Sequence, residues 1–313
     1  LHALGDKFWF NKNGEYQVMR RAIILCTLVG IAIMAGACGS KAPAPAASTP
    51  SPTSNAAPAT STSSPGNPGS APVTVTGKWE QVGKDGEWKG TIDMVGMDGF
   101  LWSIEPDGSL YKTDPATGAY TEVGEKGSFQ KLKLFEGMDH MLWTVEGGTL
   151  YKTDPNTGKW EQSGEGGGWA RTIAMVGMNG ILYSIEPDGS LWKTDKSGND
   201  TLVDKGGFKG CTDLAAMDGK LWTIENGTLY KTDPTNLKWD QVGKDGDFAN
   251  VTVMLGADKF LWLIDKDGTL YKVDQNGAST ILGDKGSYGQ TTILTTLNGK
   301  LWTVEGGNLY KTS

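Results

Sequence analysis

The sequence predicts an all-β fold: a closed six-bladed β-propeller of four-stranded antiparallel blades, pseudo-threefold in character, with its N-terminal strand completing the last blade. Three observations carry this. A Leu-aromatic segment recurs at Leu101, Leu142, Leu182, Leu221, Leu261 and Leu301, at offsets of 41, 40, 39, 40 and 40 residues, and a fixed period near forty with short aromatic-rich strands and glycine turns marks a propeller. The middle segments, such as LWSI at 101–104 and LWTV at 142–145, are apolar on both faces, as sheets sandwiched between two neighbours must be. Finally, GKWEQVG at 77–83 matches segments that elsewhere end a repeat, GKWEQSG at 158–164 and LKWDQVG at 237–243, while the chain stops at LYKTS with no such segment following.

Along the chain, residues 1–18 precede Met19 and read as an over-extended start. Residues 19–37 read as a signal peptide: Arg20 and Arg21, an uncharged apolar stretch, then small residues. The end of that stretch, Met-Ala-Gly-Ala-Cys, resembles a bacterial lipobox, with Ala35 where the usual pattern has a branched aliphatic residue. The resemblance implies a lipidated Cys38 as mature N-terminus. With Gly39 and no aspartate after the cysteine, it also implies an outer-membrane or cell-surface location. Residues 38–76 form the lipidated cysteine and a tether rich in Ala, Pro, Ser and Thr, a composition that cannot bury enough surface to fold. The propeller occupies 77–313. Its one cysteine, Cys211, lies in an apolar run and reads as a buried thiol.

Within the propeller each repeat offers an inner run, exemplified by TIAMVGM at 172–178, then two Leu-aromatic strands and a polar outer strand. The aromatics at Trp102, Trp143, Tyr183, Trp222, Trp262 and Trp302 read as blade-to-blade packing. A second period of two repeats lies beneath the first. The turn between the two middle strands is Pro-Asp-Gly or Lys-Asp-Gly in odd repeats and Gly-Gly or Asn-Gly in even ones, which predicts three-residue loops and two-residue type I′ turns respectively. Outer strands alternate likewise, so GKWEQVG at 77–83 is of the type the sixth repeat needs.

A net charge of −7 with three arginines, Arg20, Arg21 and Arg171, argues against a nucleic-acid partner. The domain has one histidine, His140, and no clustered His, Cys and carboxylate spacing, so neither a catalytic constellation nor a metal or cofactor site is expected. The single Arg171 removes a sialidase, which holds its substrate carboxylate with three arginines.

Propeller topology puts the links between blades and the turns between middle strands at one end of the ring. One aromatic sits on each link, two residues after a glycine: Trp88, Phe129, Trp169, Phe208, Phe248 and Tyr288. One carboxylate ends each second strand: Glu105, Glu146, Glu186, Glu225, Asp265 and Glu305. An aromatic plane stacks on a sugar face and a carboxylate accepts hydrogen bonds from its hydroxyls, so these twelve are candidate ligand-binding residues. The plainer reading wedges the aromatics between blades and pairs the carboxylates with lysines such as Lys112 and Lys152.

Over 77–313 the repeat resembles tectonin and tachylectin propeller lectins: an aromatic after a glycine, a small-residue inner strand, a Leu-Trp strand, a glycine turn and a Leu-Tyr strand. That resemblance implies non-catalytic, multivalent carbohydrate binding near the blade junctions. LYKTDPNTGKW at 150–160 also looks like repeats of quinone-cofactor dehydrogenases and of the lipoprotein propeller that scaffolds outer-membrane assembly. The alternative it implies is an envelope scaffold with a protein partner.

Overall fold

The computed structural model describes residues 78–313. The signal peptide, Cys38 and the tether lie outside the described residues. Within them are 24 strands, in six four-stranded antiparallel sheets. Blade 1 comprises β2 (Asp93–Met97), β3 (Phe100–Ile104), β4 (Leu110–Thr113) and β5 (Tyr120–Val123). Blade 2 follows with β6 (Leu132–Met138), β7 (Met141–Glu146), β8 (Thr149–Thr153) and β9 (Trp160–Ser163). Blade 3 comprises β10 (Ala174–Met178), β11 (Ile181–Ile185), β12 (Leu191–Thr194) and β13 (Asp200–Asp204). Blade 4 comprises β14 (Cys211–Met217), β15 (Lys220–Glu225), β16 (Thr228–Thr232) and β17 (Trp239–Val242). Blade 5 has β18 (Val251–Ala257), β19 (Phe260–Asp265), β20 (Leu270–Asp274) and β21 (Ser279–Leu282).

Blade 6 joins the two ends of the domain: β22 (Thr291–Leu297), β23 (Lys300–Glu305) and β24 (Asn308–Thr312) are completed by β1 (Trp79–Val82). The register of β1 on β24, Trp79 opposite Thr312 and Glu80 opposite Lys311, repeats that of β9 on β8 and β17 on β16. A cross-strand ion pair repeats with it: Lys311–Glu80 at 3.0 Å, Lys152–Glu161 at 2.7 Å and Lys231–Asp240 at 3.9 Å. Closure satisfies what would otherwise be the open edge of β24.

The alternation of turns follows the glycine pattern. In even blades both central residues of the β-turn are left-handed, as at Gly147 and Gly148 with φ of 55° and 87°. In odd blades only the glycine is, as at Gly108 with φ 78°, where its N–H donates to the Glu105 carbonyl at 2.8 Å. The inner run at 172–178 enters its strand only at Ala174, although the Ile173 N–H already donates to the Ile185 carbonyl at 2.8 Å.

The core consists of six clusters, each shared by neighbouring blades. Trp102, Trp143, Trp222, Trp262 and Trp302 are at most 2% exposed, and Tyr183 is buried too. Four of the indoles donate to the carbonyl that ends their inner strand, Trp102 to Met97 at 3.1 Å for example, which satisfies the one polar atom such burial would strand. Cys211 is buried, and burial pushes its thiol well above the ordinary range.

Candidate functional site

The links and the β-turns between middle strands share one face, and backbone hydrogen bonds tie them together. The N–H of every link aromatic donates to the turn glycine of the preceding blade, from Trp169 to Gly148 at 2.8 Å through to Trp88 to Gly307 at 3.0 Å. Gly148 shows why glycine is required: its φ is +87° and an added Cβ would lie 2.8 Å from the Ala170 Cβ.

This docking drives the link rings into the junctions. Trp88, Phe129, Trp169, Phe208 and Tyr288 are 3–6% exposed, and Phe248 is half-buried against the cluster between blades 4 and 5. Trp169, for example, packs with Leu134, Trp143 and Leu150 of blade 2 and with Met175 and Leu182 of blade 3. Blade packing is the shared role of these rings.

The six carboxylates lie half-buried; Glu105, Glu146, Glu186 and Glu305 engage link residues, while Glu225 and Asp265 bond within their own blades. Glu105 accepts from the Thr91 hydroxyl at 2.8 Å, and Glu146 from the Lys131 N–H at 3.0 Å. Glu225 accepts from the Thr223 hydroxyl at 2.7 Å, and Asp265 from the Thr269 N–H at 3.1 Å. Glu186 faces Arg171 at 3.7 Å, and the Gln290 N–H donates to Glu305. Burial pushes Glu146 up to about 7 and also raises Glu225 and Glu305, because a carboxylate charge is poorly solvated there. The expected pairing of these acids with Lys112 and Lys152 gives way to another arrangement. Lys152 reaches Glu161, and the Lys112 ammonium sits 3.7 Å from the centroid of the Phe100 ring, because strand pleating turns both lysines toward aromatic and outer-strand partners.

Tyr288 and Glu305, both candidates, line one pocket together. An open pocket of about 380 Å³ lies on blade 6 at its junction with blade 5, and its lining includes Trp79, Asp284, Tyr288, Thr303, Glu305 and Tyr310. Three aromatic rings and two carboxylates converge there. The sequence reading missed Trp79 and Tyr310, although Trp79 heads an outer strand exactly as Trp160 and Trp239 do, and that repeated indole was the available signal. Trp160 and Trp239 are 53% and 64% exposed, and Tyr120, Leu202 and Ile281 are exposed on outer strands of blades 1, 3 and 5. Among the described residues, no group of three or more His, Cys, Asp or Glu converges as metal ligands. His140, in a left-handed turn, pairs with Asp98 at 2.7 Å.

No protein-family model and no curated protein matches the sequence. Solved structures do match the fold. A protein of unknown function from Bacteroides thetaiotaomicron aligns with a TM-score of 0.55 at 15% identity, over 74% of each chain. PorZ of Porphyromonas gingivalis, described as an essential bacterial surface component of the type-IX secretion system, aligns at 0.52 and 12% identity over 70% of this chain. That match spans only 30% of PorZ. A chain of the nidogen/laminin complex aligns at 0.50 and 9% identity, over 59% of this chain and 75% of its own. At such identities the likeness is one of fold.

Proposed function

We propose that the propeller is the non-catalytic binding head of an exported, lipid-anchored envelope protein, and that its ligand is carbohydrate. The observation that carries this reading is the blade-6 pocket, where Trp79, Tyr288 and Tyr310 stand beside Glu305 and Asp284. The half-buried rings of Trp79 and Tyr310, with the Tyr288 hydroxyl holding Trp79 in place, stand next to hydrogen-bond acceptors and suit the two chemistries of a sugar, its C–H face and its hydroxyls. Trp88, Phe129, Trp169, Phe208 and Phe248 pack into junctions away from this pocket, so the reading is one of ligand binding at the pocket and not at all six links.

The test is a glycan array probed with the protein, followed by calorimetric stoichiometry on each hit. Reproducible binding to a defined glycan supports the reading, and a silent array counts against it. A second reading, an envelope scaffold for a protein partner, is favoured by the exposed outer-strand residues Tyr120, Trp160, Leu202, Trp239 and Ile281, one on each of blades 1 to 5. Affinity capture from envelope extracts that is lost on polar substitution of Trp160 and Trp239 would support it over the carbohydrate reading.

A further inference from the structure

The three even blades carry nearly the same outer strand, WEQV in β1, WEQS in β9 and WDQV in β17, in the same register on a neighbouring LYKT segment. Their leading indoles nevertheless divide. Trp160 lies edge-on to Tyr151 with ring centroids 5.3 Å apart, and Trp239 to Tyr230 at 5.6 Å. Trp79 turns instead to Tyr288: its indole N–H donates to the Tyr288 hydroxyl at 2.7 Å, with centroids 5.7 Å apart. One oxygen atom distinguishes the neighbouring links. The links entering blades 2 and 4 carry Phe129 and Phe208 where the link entering blade 6 carries Tyr288, so only blade 6 offers the indole an acceptor at that point. The pocket of about 380 Å³ lies beside this re-aimed indole, bounded on its other sides by Tyr310, Thr303, Glu305 and Asp284. Its volume falls within the range of small-molecule sites, about 300 to 1,000 Å³.

We infer that the Tyr288 hydroxyl creates a single saccharide site per domain by holding Trp79 away from Tyr310, and that the site accepts a sugar ring without negative charge. The inference rests on the carbohydrate reading and goes beyond it in number, location and ligand charge. The charge preference follows from the lining, which has two carboxylates, Asp284 and Glu305, and no lysine or arginine. A hexuronate brought there would meet like charge with nothing to offset it, whereas an uncharged or amino-bearing hexose would not.

The experiment is calorimetry on the full chain with methyl glucoside, glucosamine and glucuronate as probes, together with any oligosaccharide found on the array. The expected result is one equivalent per chain for uncharged and amino sugars, at least tenfold weaker binding by glucuronate, and at least tenfold loss in Tyr288→Phe. Trp160→Ala and Trp239→Ala should bind as the parent does. Three equivalents, glucuronate bound as well as glucoside, or full affinity in Tyr288→Phe would overturn the inference. Its structural half has a readout that needs no ligand. The indole N–H resonance of Trp79, assigned by its loss in Trp79→Phe, should shift in Tyr288→Phe while the other indole resonances stay in place, and an unmoved Trp79 resonance would sink it. If no sugar binds the parent protein while the Trp79 resonance does shift, the carbohydrate reading fails and the local geometry stands.

Discussion

Trp169 and Trp160 are nine residues apart and chemically identical, yet one is 3% exposed and the other 53%. Trp169 sits on a link pinned by a backbone hydrogen bond to the previous blade, so its ring is forced between two sheets. Trp160 sits at the head of an outermost strand, where no further strand covers it. Position in the blade, not residue type, decides whether an aromatic becomes mortar or surface.

The sharpest way to break this contrast is to truncate both. Trp169→Ala empties a junction shared by blades 2 and 3 and should cost about 3–5 kcal/mol in denaturant unfolding. A loss near zero would mean that the link rings are not structural. Next in size are the glycines that seat the links. Gly148→Ala and Gly167→Ala each force a left-handed alanine, at about 1–2 kcal/mol. Only Gly148→Ala also collides with Ala170, since nothing lies within 4 Å of a Cβ at Gly167. It should therefore be the worse by about 1–3 kcal/mol, and equal losses would remove the close-approach argument.

A smaller effect concerns the inner strands, where the Glu136 carboxylate of blade 2 accepts from the Gly177 N–H of blade 3. Burial, with the nearby Asp93 charge, pushes Glu136 up to about 8. A carboxyl raised in this way contributes stability fully below its unfolded value near 4.5, and loses it as pH rises through about 8. Relative to the parent, Glu136→Gln should thus gain stability between pH 4 and pH 9. Parallel stability profiles across that range would refute this. The smallest effect belongs to the exposed side of the comparison: Trp160→Ala and Trp239→Ala should each cost about 1 kcal/mol or less, the loss of one edge-on aromatic contact. A large loss from either would show that the outer indoles are structural after all.

Much of the architecture was legible because propeller repeats write their geometry locally. Pro-Asp-Gly at 106–108 and Gly-Gly at 147–148 state their turn types through residue chemistry, and the unmatched KWEQV strand states the closure through its likeness to KWEQS. The candidate site was legible only in part. Tyr288 and Glu305 were assigned to the face where the blade-6 pocket lies, but the same reasoning applied equally to Trp88 or Glu105, since periodicity assigns every blade the same role. Trp79 was read only as a closing strand, because its partner Tyr288 lies 209 residues away.

By itself, then, the sequence determined the period, the number of blades, the alternation of turns and the splice of the two ends in blade 6. Each of these depends on short-range steric preference or on counting, and both survive in one dimension. Tertiary structure alone decided which aromatics are buried, where each half-buried carboxylate finds its partner, and why one of three equivalent indoles leaves its companions to form a pocket. Those outcomes depend on contacts between distant segments, where a single hydroxyl acts only once the ring has closed and brought Tyr288 within 2.7 Å of Trp79.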